Sequence, residues 1–330
     1  MPNNQLKLTV VITVVSGKES LRRCLAAVTP QIDFAETEVV VPYDEWSKEV
    51  GELAPEFPSV NFHFVKNLNL TLSGDISTRE HRLYDRRRAA GLQVSRGRIV
   101  AMTEDHVLPA RDWCHQILAA HECPAAVIGG AIENGIDRPL NWAWYYCDFG
   151  RYGRPMTNRE PEYVSDVNVS YKRAELMEIY EVWCHSYHET TVHWALRDRG
   201  VKLLLNEKIA VFQHRPTVSL KKAWFERFAW GRIFAETRSC RLNVSKRFGL
   251  AAGTIFLPIL LLLRIIRHML RQKRTARQLT SALPFALFLL TGWAVGEFWG
   301  YISHAPQSLT EENAPLLNST ELNSENLVNQ

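Results

Sequence analysis

The sequence predicts an α/β domain with a mostly parallel sheet flanked by helices, followed by a C-terminal interfacial helix and two hydrophobic membrane segments. Short runs rich in Val, Ile and Thr, at residues 6–15, 38–41 and 60–65, are separated by stretches with helical periodicity such as residues 21–28. Strands that alternate with helices indicate βαβ units and therefore parallel strand pairs. After residue 216 the chain changes to long uncharged stretches with basic residues between them.

The composition argues against two kinds of site. The formal net charge of +4 is small, and the basic excess lies after residue 215 without forming an aromatic-interleaved stripe, so nucleic-acid binding is not predicted. The six cysteines lie far apart and form no C-x-x-C pair, which argues against a zinc knuckle or a disulfide framework. Reduced thiols are consistent with a cytoplasmic location. The first apolar run is too short for a secretory signal and is predicted to be the first strand.

Three potential metal ligands follow a strand-length apolar run within residues 98–109. They are Glu104, Asp105 and His106, and a Pro-containing loop comes next. In open α/β sheets, ligands bind in the crevice beyond the carboxyl ends of the strands, so these side chains indicate a divalent cation that carries phosphates. The alternative is a charged turn after a buried strand, and this stretch alone does not decide between the two.

A strongly basic segment, residues 79–98, precedes this strand. Its arginines are consistent with the solvated face of a helix. Alternatively, Arg88 lies beside a nucleotide pocket, where a guanidinium hydrogen bonds phosphate or braces the loop.

The order of these features resembles the family 2 glycosyltransferases of the GT-A fold. An Arg-x-x-Gly sequence at residues 88–91 is followed after five residues by a second glycine, an apolar strand, the acidic residues and a proline. The family usually has Asp-x-Asp where this chain has Glu-Asp-His at residues 104–106, and a neutral imidazole suits Mn²⁺ as a carboxylate does. The resemblance covers residues 6–216 and implies a nucleotide-diphosphate sugar donor with Mn²⁺ or Mg²⁺ as cofactor.

The same resemblance assigns roles around the donor. It implies that Glu104, His106 and His214 hold the metal ion, although a lone histidine at a strand end is also consistent with a structural role. The residues that it places against the nucleotide-sugar are Ser16, Asp44, Arg88, Glu104 and Asp105.

Glu189 is the second candidate site. The pair His188-Glu189 falls where the family carries Glu-Asp at the start of a helix that ends in Gly, here Gly200. The resemblance implies that Glu189 is the general base that deprotonates the acceptor hydroxyl. The alternative is an acid that favours a helix N-terminus electrostatically. A zinc-protease motif is excluded, because His193 lies about 140° around a helix from His188.

The acceptor side is predicted from two further segments. Asn168 lies in a segment, residues 164–173, that resembles the family's strand near the acceptor, and Trp142 lies in an unusually aromatic segment, residues 141–152. With His188, these residues are expected on the acceptor side. The aromatic segment is also consistent with core or membrane-apposed packing.

The C-terminal third is predicted to bind membrane lipids. Residues 217–247 form an amphipathic helix that lies in the interface or packs on the catalytic domain, residues 1–216. Residues 248–304 contain uncharged stretches of 16 and 19 residues, at 248–263 and 278–296, with a basic loop between them. Each is near the lower limit for crossing about 30 Å of hydrocarbon. The acidic tail, residues 305–330, is predicted to be disordered.

Two orientations stay open for the hydrophobic segments. The positive-inside rule puts the basic loop in the cytoplasm. The catalytic domain must also face the cytoplasm, because nucleotide-sugars are found there. The first segment would then have to re-enter the membrane or lie flat on it. A plain two-helix hairpin would put the basic loop outside.

Together these features predict an inverting, metal-dependent glycosyltransferase at the cytoplasmic face of the cell inner membrane, which transfers a sugar to a lipid or glycan hydroxyl. The competing hypothesis is a non-catalytic membrane scaffold that retains the fold. Its motivation is the set of departures from the family pattern, at Glu104, His106, Asp166 and His188.

Overall fold

The computed structural model describes residues 6–68, 76–156, 160–216, 218–240 and 242–303, and the side chains of residues 76–78 are not described. The predicted acidic tail lies outside the described residues.

Among the residues that the structure describes up to residue 216, eight strands form one sheet, and we call residues 6–216 the sheet domain. The strands are β1 (Leu8–Thr13), β2 (Thr37–Tyr43), β3 (Asn61–Phe64), β4 (Ile99–Glu104), β5 (Val107–Pro109), β6 (Val127–Asn134), β7 (Val169–Lys172) and β8 (Leu203–Gln213). Their order is β3-β2-β1-β4-β7-β6-β8-β5.

The sheet is mixed, so the expectation of a mostly parallel sheet describes only one half of it. Strands β3, β2, β1 and β4 are parallel to their neighbours. In the other half β7 is antiparallel to both β4 and β6, and β8 is parallel to β6 but antiparallel to β5. The hydrophobic pattern that predicts a strand does not encode its direction, because direction is set by the connection that brings the chain back.

At two places the sheet differs from what the local sequence pattern indicates. The apolar runs at residues 201–205 and 209–212 predict separate strands, but one strand, β8, covers most of both and pairs with β6 across one register shift. The glycine pair Gly129-Gly130 is expected to end a strand, yet β6 continues through it to Asn134. A Cβ on Gly129 would lie 2.8 Å from Val164 Cβ, so close packing explains this glycine better than a turn.

Helices cover the sheet and form the C-terminal third. They are α1 (Lys18–Val28), α2 (Ile76–Val94), α3 (Trp113–Ala120), α4 (Pro139–Asp148), α5 (Arg173–Met177), α6 (Tyr180–Trp183), α7 (Glu189–Asp198), α8 (Leu220–Ser239), α9 (Val244–Gly253), α10 (Leu257–Arg271) and α11 (Ala276–Ile302). The helix predicted as amphipathic and interfacial corresponds to α8, which packs along α11.

The contact between α8 and α11 depends on glycines. Gly292, Gly296 and Gly300 recur every fourth residue on α11, and the backbone of α8 lies against all three. A Cβ added at Gly296 would clash with the carbonyl oxygen of Phe228, and backbone atoms cannot move aside as a flexible side chain can. Small residues at this spacing allow two helices to approach closely.

We expect Gly296→Ala to destabilise the protein by about 1–3 kcal/mol, as overpacking of a tight contact does. The matched control is Gly249→Ala in α9, because a Cβ there meets no atom within 4 Å. Alanine is otherwise favoured over glycine in a helix by about 0.5–1 kcal/mol, so the control should be neutral or slightly stabilising. Thermal unfolding of both variants in the same detergent measures the difference, and equal midpoints would contradict the role of Gly296.

Two apolar helices of the C-terminal third are long enough to cross a membrane. They are Val244–Arg271, which joins α9 and α10, and Ala276–Ile302, which is α11. By length and composition alone these are candidates, and they contain the two predicted uncharged stretches. The large apolar side chains that they expose are Val244, Phe248, Ile255, Phe256, Ile259, Leu260, Leu263, Leu270, Leu287, Phe288, Val295, Phe298 and Trp299.

The basic turn between α10 and α11 is bound to the sheet domain. Arg274 donates to Glu133 at 3.0 Å and to the hydroxyl of Tyr146 at 3.0 Å, and its guanidinium lies 4.7 Å from the ring centre of Trp142. Gln272 accepts from the Tyr146 hydroxyl at 2.8 Å and donates to the carbonyl of Gly150. This end of the helix pair is therefore on the same side as α4 and β6.

Candidate functional site

A cavity of about 460 Å³ lies where β4 ends, between the sheet domain and the C-terminal helices. Its polar end is lined by Arg88 of α2, Glu104 of β4, the loop residue Asp166, and Glu189 of α7. Its apolar end is lined by α10 and α11, with side chains that include Leu261, Ile265 and Leu290. The cavity thus joins a cluster of charged groups to the two apolar helices.

Arg88 binds three carboxylates at the polar end. Its guanidinium lies 2.9 Å from Asp85, 2.7 Å from Glu104 and 2.8 Å from Asp166. Arg88 is 3% exposed. The planar fork of a guanidinium allows one side chain to bind several carboxylates at once. The structure does not favour a solvated helix face at Arg88, because this side chain is buried. It favours a bracing role, since Arg88 holds acidic groups from separate elements together.

Glu189 is the first residue of α7 and belongs to the same cavity. Its Oε2 accepts a hydrogen bond of 3.0 Å from the backbone N–H of Asp166, whose carboxylate binds Arg88. The sequence-distant residues Glu104 and Glu189 are therefore linked through Asp166 and Arg88, and both line one cavity.

The environment of Glu189 disfavours its charged form. Burial raises the pKa of Glu189 well above its usual range, and the nearby charge of Asp166 adds to this, against the opposing charges of Arg151 and Arg88. Burial also raises the pKa of Asp166. A carboxyl group with a raised pKa is a better proton acceptor once ionised, as general-base catalysis requires.

Glu104, Asp105 and His106 bind one another and the turn after β1. The carboxylate of Asp105 is fully buried and accepts hydrogen bonds from the backbone N–H groups of Ser16 and Gly17 at 2.8 Å each. Gly17 has φ +93°, which a side chain would strain. Asp105 thus fixes the turn between β1 and α1, and it does not line the cavity.

Both ring nitrogens of His106 have partners. Nδ1 lies 3.0 Å from the Ser16 hydroxyl and 3.3 Å from Asp105, and Nε2 lies 3.1 Å from Glu104. Burial disfavours the charged imidazole, but hydrogen bonds to Asp105 and Glu104 outweigh it and raise the pKa of His106 to about 9. Burial likewise opposes the charge of Glu104, yet His106 and Arg88 hold its pKa at about 2.

The residues expected to hold the metal are paired with protein groups in this structure, and their role as metal ligands stays a prediction. Glu104 Oε1 accepts from Arg88 and Oε2 faces His106, so the ligand atoms of Glu104 and His106 are already paired. His214 donates its backbone N–H to the His106 carbonyl, but its ring lies against Gly135 and does not line the cavity.

Two residues expected against the nucleotide-sugar also lie outside the cavity lining. Ser16 contacts His106 on the side away from Glu104. Asp44 is fully buried, caps the 3₁₀ helix Glu45–Leu53 and binds Arg87 through both carboxylate oxygens at 2.8 and 3.1 Å. Their roles in donor binding stay predictions.

Of the three residues expected on the acceptor side, the structure brings only His188 to the cavity lining. Asn168 is buried between strands, where its amide donates to the carbonyls of Ala131 and Ile209. Trp142 stacks on Tyr146 beneath the basic turn. The packing alternative for the aromatic segment accounts for Trp142.

The site contains two residues that no sequence motif indicated, His81 and Asp85. Both lie on α2 and form a group with His188. One potential ligand atom from each of the three residues lies within 4.8 Å of the other two. The available signal was their i, i+4 spacing, which places an imidazole and a carboxylate on one face of a helix.

Comparisons of this chain with known proteins gave matches among solved structures only. No protein-family model matches the chain, and no curated protein matches its sequence. Among solved structures, it is similar to the mannosyltransferase PcManGT from Pyrobaculum calidifontis in complex with GDP-Man and Mn²⁺. The two sequences are 12% identical, the match covers 98% of this chain and 81% of that chain, and the TM-score is 0.49. A likeness of this degree assigns no residue of the site.

Proposed function

We propose that this chain is an inverting glycosyltransferase of the GT-A type that moves a sugar from a nucleotide-diphosphate donor to a hydroxyl acceptor at a membrane surface. The observation that carries the proposal is the shared cavity of Glu104 and Glu189, linked through Arg88 and Asp166. The motifs at residues 104–106 and 188–189 resemble family 2 glycosyltransferases independently of each other, and the fold brings them together.

The reaction assigned to this site is a single displacement. Glu189 takes the proton of the acceptor hydroxyl while the hydroxyl oxygen bonds to the anomeric carbon, and the bond from that carbon to the diphosphate oxygen breaks with its electron pair. The nucleoside diphosphate leaves, and attack from the opposite face inverts the anomeric configuration. Positioning of both substrates contributes more to such a step than an extreme pKa does.

Cationic side chains offer contacts to the anionic donor. Arg151 and Arg215 line the cavity, whereas Arg88 is already bound to three carboxylates. Arg215 lies 3.9 Å over the ring of Trp144 and binds Glu226 at 2.7 Å, which holds it in place. Dependence on Mn²⁺ or Mg²⁺ stays part of the proposal, but no step is assigned to a cation at residues 104–106, where the ligand atoms are paired with protein groups.

The apolar end of the cavity favours an acceptor carried by a lipid. Leu257, Leu261 and Ile265 of α10 line the cavity, while Ile259, Leu260 and Leu263 on other faces of the same helix are exposed. A helix that is apolar toward solvent is expected to contact membrane lipid. The cavity therefore connects the charged site to a surface suited to a bilayer.

The position of the basic turn supports a cytoplasmic orientation. Arg274 is bound to Glu133 of the sheet domain, so the turn and the site lie on one side of the helix pair. Basic residues beside membrane segments face the cytoplasm, where nucleotide-sugars are available. We therefore place the site at the cytoplasmic face of the cell inner membrane.

A donor panel tests the proposal. The purified full chain is incubated with labelled nucleotide-sugars, a membrane lipid extract and Mn²⁺ or Mg²⁺, and with a chelator as control. We expect labelled product that partitions into organic solvent and has the inverted anomeric configuration. Product that stays in water would indicate a soluble glycan acceptor. The absence of both turnover and nucleotide binding with every donor would instead favour the non-catalytic scaffold.

A further inference from the structure

The polar end of the cavity contains a second group of potential ligands beside the carboxylates that bind Arg88. His81, Asp85 and His188, which we call the histidine cluster, all line the cavity. The cluster joins two elements, because His81 and Asp85 belong to α2 and His188 occupies the N-cap position of α7. A backbone hydrogen bond of 3.0 Å from Tyr187 N–H to the Asp85 carbonyl fixes the approach of these elements.

The geometry of the histidine cluster suits one small cation. Its three ligand atoms lie within 4.8 Å of one another, and His81 Nε2 is 3.9 Å from Asp85 Oδ2. Ligands bound to one zinc ion at about 2.0–2.1 Å in a tetrahedron lie about 3.3 Å apart. Small side-chain rotations therefore bring the three atoms to bonding distance.

One nitrogen of the histidine cluster lacks a partner. Nδ1 of His188 is buried and has no hydrogen bond to any residue that the structure describes. A buried polar atom without a partner is costly, and a bound ion is one way in which proteins satisfy such an atom.

The surroundings of Asp85 resemble the outer shell of a metal site. Asp85 Oδ1 accepts from Arg88 at 2.9 Å, which orients the carboxylate, and Oδ2 lies 3.9 Å from His81 Nε2. Hydrogen bonds that orient a ligating carboxylate are a regular feature of metal sites. Arg88 itself is neutralised by Asp85, Glu104 and Asp166, so its charge does not exclude a nearby cation.

We propose that His81, Asp85 and His188 bind one divalent transition-metal ion, with the remaining coordination positions open to the cavity. Two imidazoles and one carboxylate suit Zn²⁺, Co²⁺ or Mn²⁺ and disfavour Mg²⁺, which prefers oxygen ligands. The three residues leave space for an oxygen ligand from a molecule in the cavity. This site differs from residues 104–106, where the resemblance to glycosyltransferases would place the metal.

The test is a Co²⁺ titration of the full chain, purified without a polyhistidine tag and freed of metal with a chelator. Visible absorption of Co²⁺ reports imidazole ligands and the coordination number. We expect one equivalent to bind to the wild type, and His81→Gln or His188→Gln to weaken binding by more than the roughly 10–100-fold that loss of an outer-shell partner costs, because a direct ligand is lost. His185→Gln, three residues from His188 and outside the cavity lining, is the matched control and should bind as the wild type does.

A second set of variants separates this site from the alternative. Glu104→Gln should retain Co²⁺ if the histidine cluster holds it. Loss of binding in Glu104→Gln with retention in His81→Gln would overturn the proposal, and so would a wild type that binds no Co²⁺. Thermal unfolding of each variant without metal shows whether the fold is intact, and the partly exposed His81 provides a variant that does not disturb the core.

The measurement is independent of the proposed reaction, because no donor or acceptor is present. Failure of the transfer assay with intact Co²⁺ binding would contradict only the transferase. Transfer without Co²⁺ binding at the histidine cluster would contradict only the metal site.

Discussion

Glu189→Gln is expected to lower the rate of sugar transfer by about 10³-fold while donor binding stays nearly unchanged. Removal of a general base typically costs about 10²–10⁴-fold in rate. Glutamine has the shape of glutamate and keeps a carbonyl oxygen that can accept the Asp166 N–H, so the local structure should persist. It also removes a buried acid next to Asp166, so unfolding should occur at the same or a slightly higher temperature. Turnover and donor binding are measured separately, by product formation and by calorimetry.

The same variant separates the catalytic role from the helix-terminus alternative. If Glu189 only favours the N-terminus of α7, the substitution should cost about 0.3–1 kcal/mol of stability and change the rate by little. Glu181→Gln is the matched control, because Glu181 is an exposed acid in the first turn of α6. A rate for Glu189→Gln within a few-fold of that control would contradict the assignment of the base.

The strands could be predicted from the sequence because their signal is local. Residues 6–15 and 38–41 overlap β1 and β2, since runs of Val, Ile and Thr fit a buried strand wherever it lies in the sheet. The direction of β7 could not be predicted in this way. It depends on the long connection that contains α4, and no periodicity encodes that path.

The site could be predicted only in part. Glu104 and Glu189 each follow a recognisable pattern, and the fold places both in one cavity. The pattern could not show which of two adjacent acids points inward. Glu104 ends β4 and faces the cavity, whereas Asp105 turns toward the amides of Ser16 and Gly17. That choice depends on the turn after β1, which is distant in the chain.

The C-terminal third could also be predicted only in part. Apolar length predicted two helices, and both are present as Val244–Arg271 and Ala276–Ile302. The packing of α8 on α11 depends on glycines of α11 that lie against the backbone of α8. The glycines alone could not predict this contact, because the prediction requires knowing which helix they face. The hydrophobic pattern of α8 alone is consistent with either an interfacial or a packed helix.

Arg88→Met is expected to destabilise the protein by about 3–5 kcal/mol, the typical cost of removing one partner from a buried ion pair. Methionine fills a similar volume but leaves Asp85, Glu104 and Asp166 without the cation that binds all three. Arg88→Lys should cost less, because it keeps the charge but lacks the fork that contacts three carboxylates. Thermal and denaturant unfolding in one detergent measure the three proteins.

The matched control for Arg88 is Arg96→Met. Arg96 also binds a carboxylate, that of the buried Glu38 at 2.6 Å, but the Arg96 side chain is 74% exposed, so water can replace part of its contact and a smaller loss than for Arg88 is expected. If Arg88→Met destabilises no more than Arg96→Met, the three carboxylates are not held in place by Arg88. If Arg88→Met destabilises the protein as expected, the Arg88 guanidinium holds α2, β4 and the segment before β7 together. The same contacts then keep Glu104 and Glu189 in the lining of one cavity. Loss of transfer in Arg88→Lys, with the fold retained, would then follow from the displaced carboxylates.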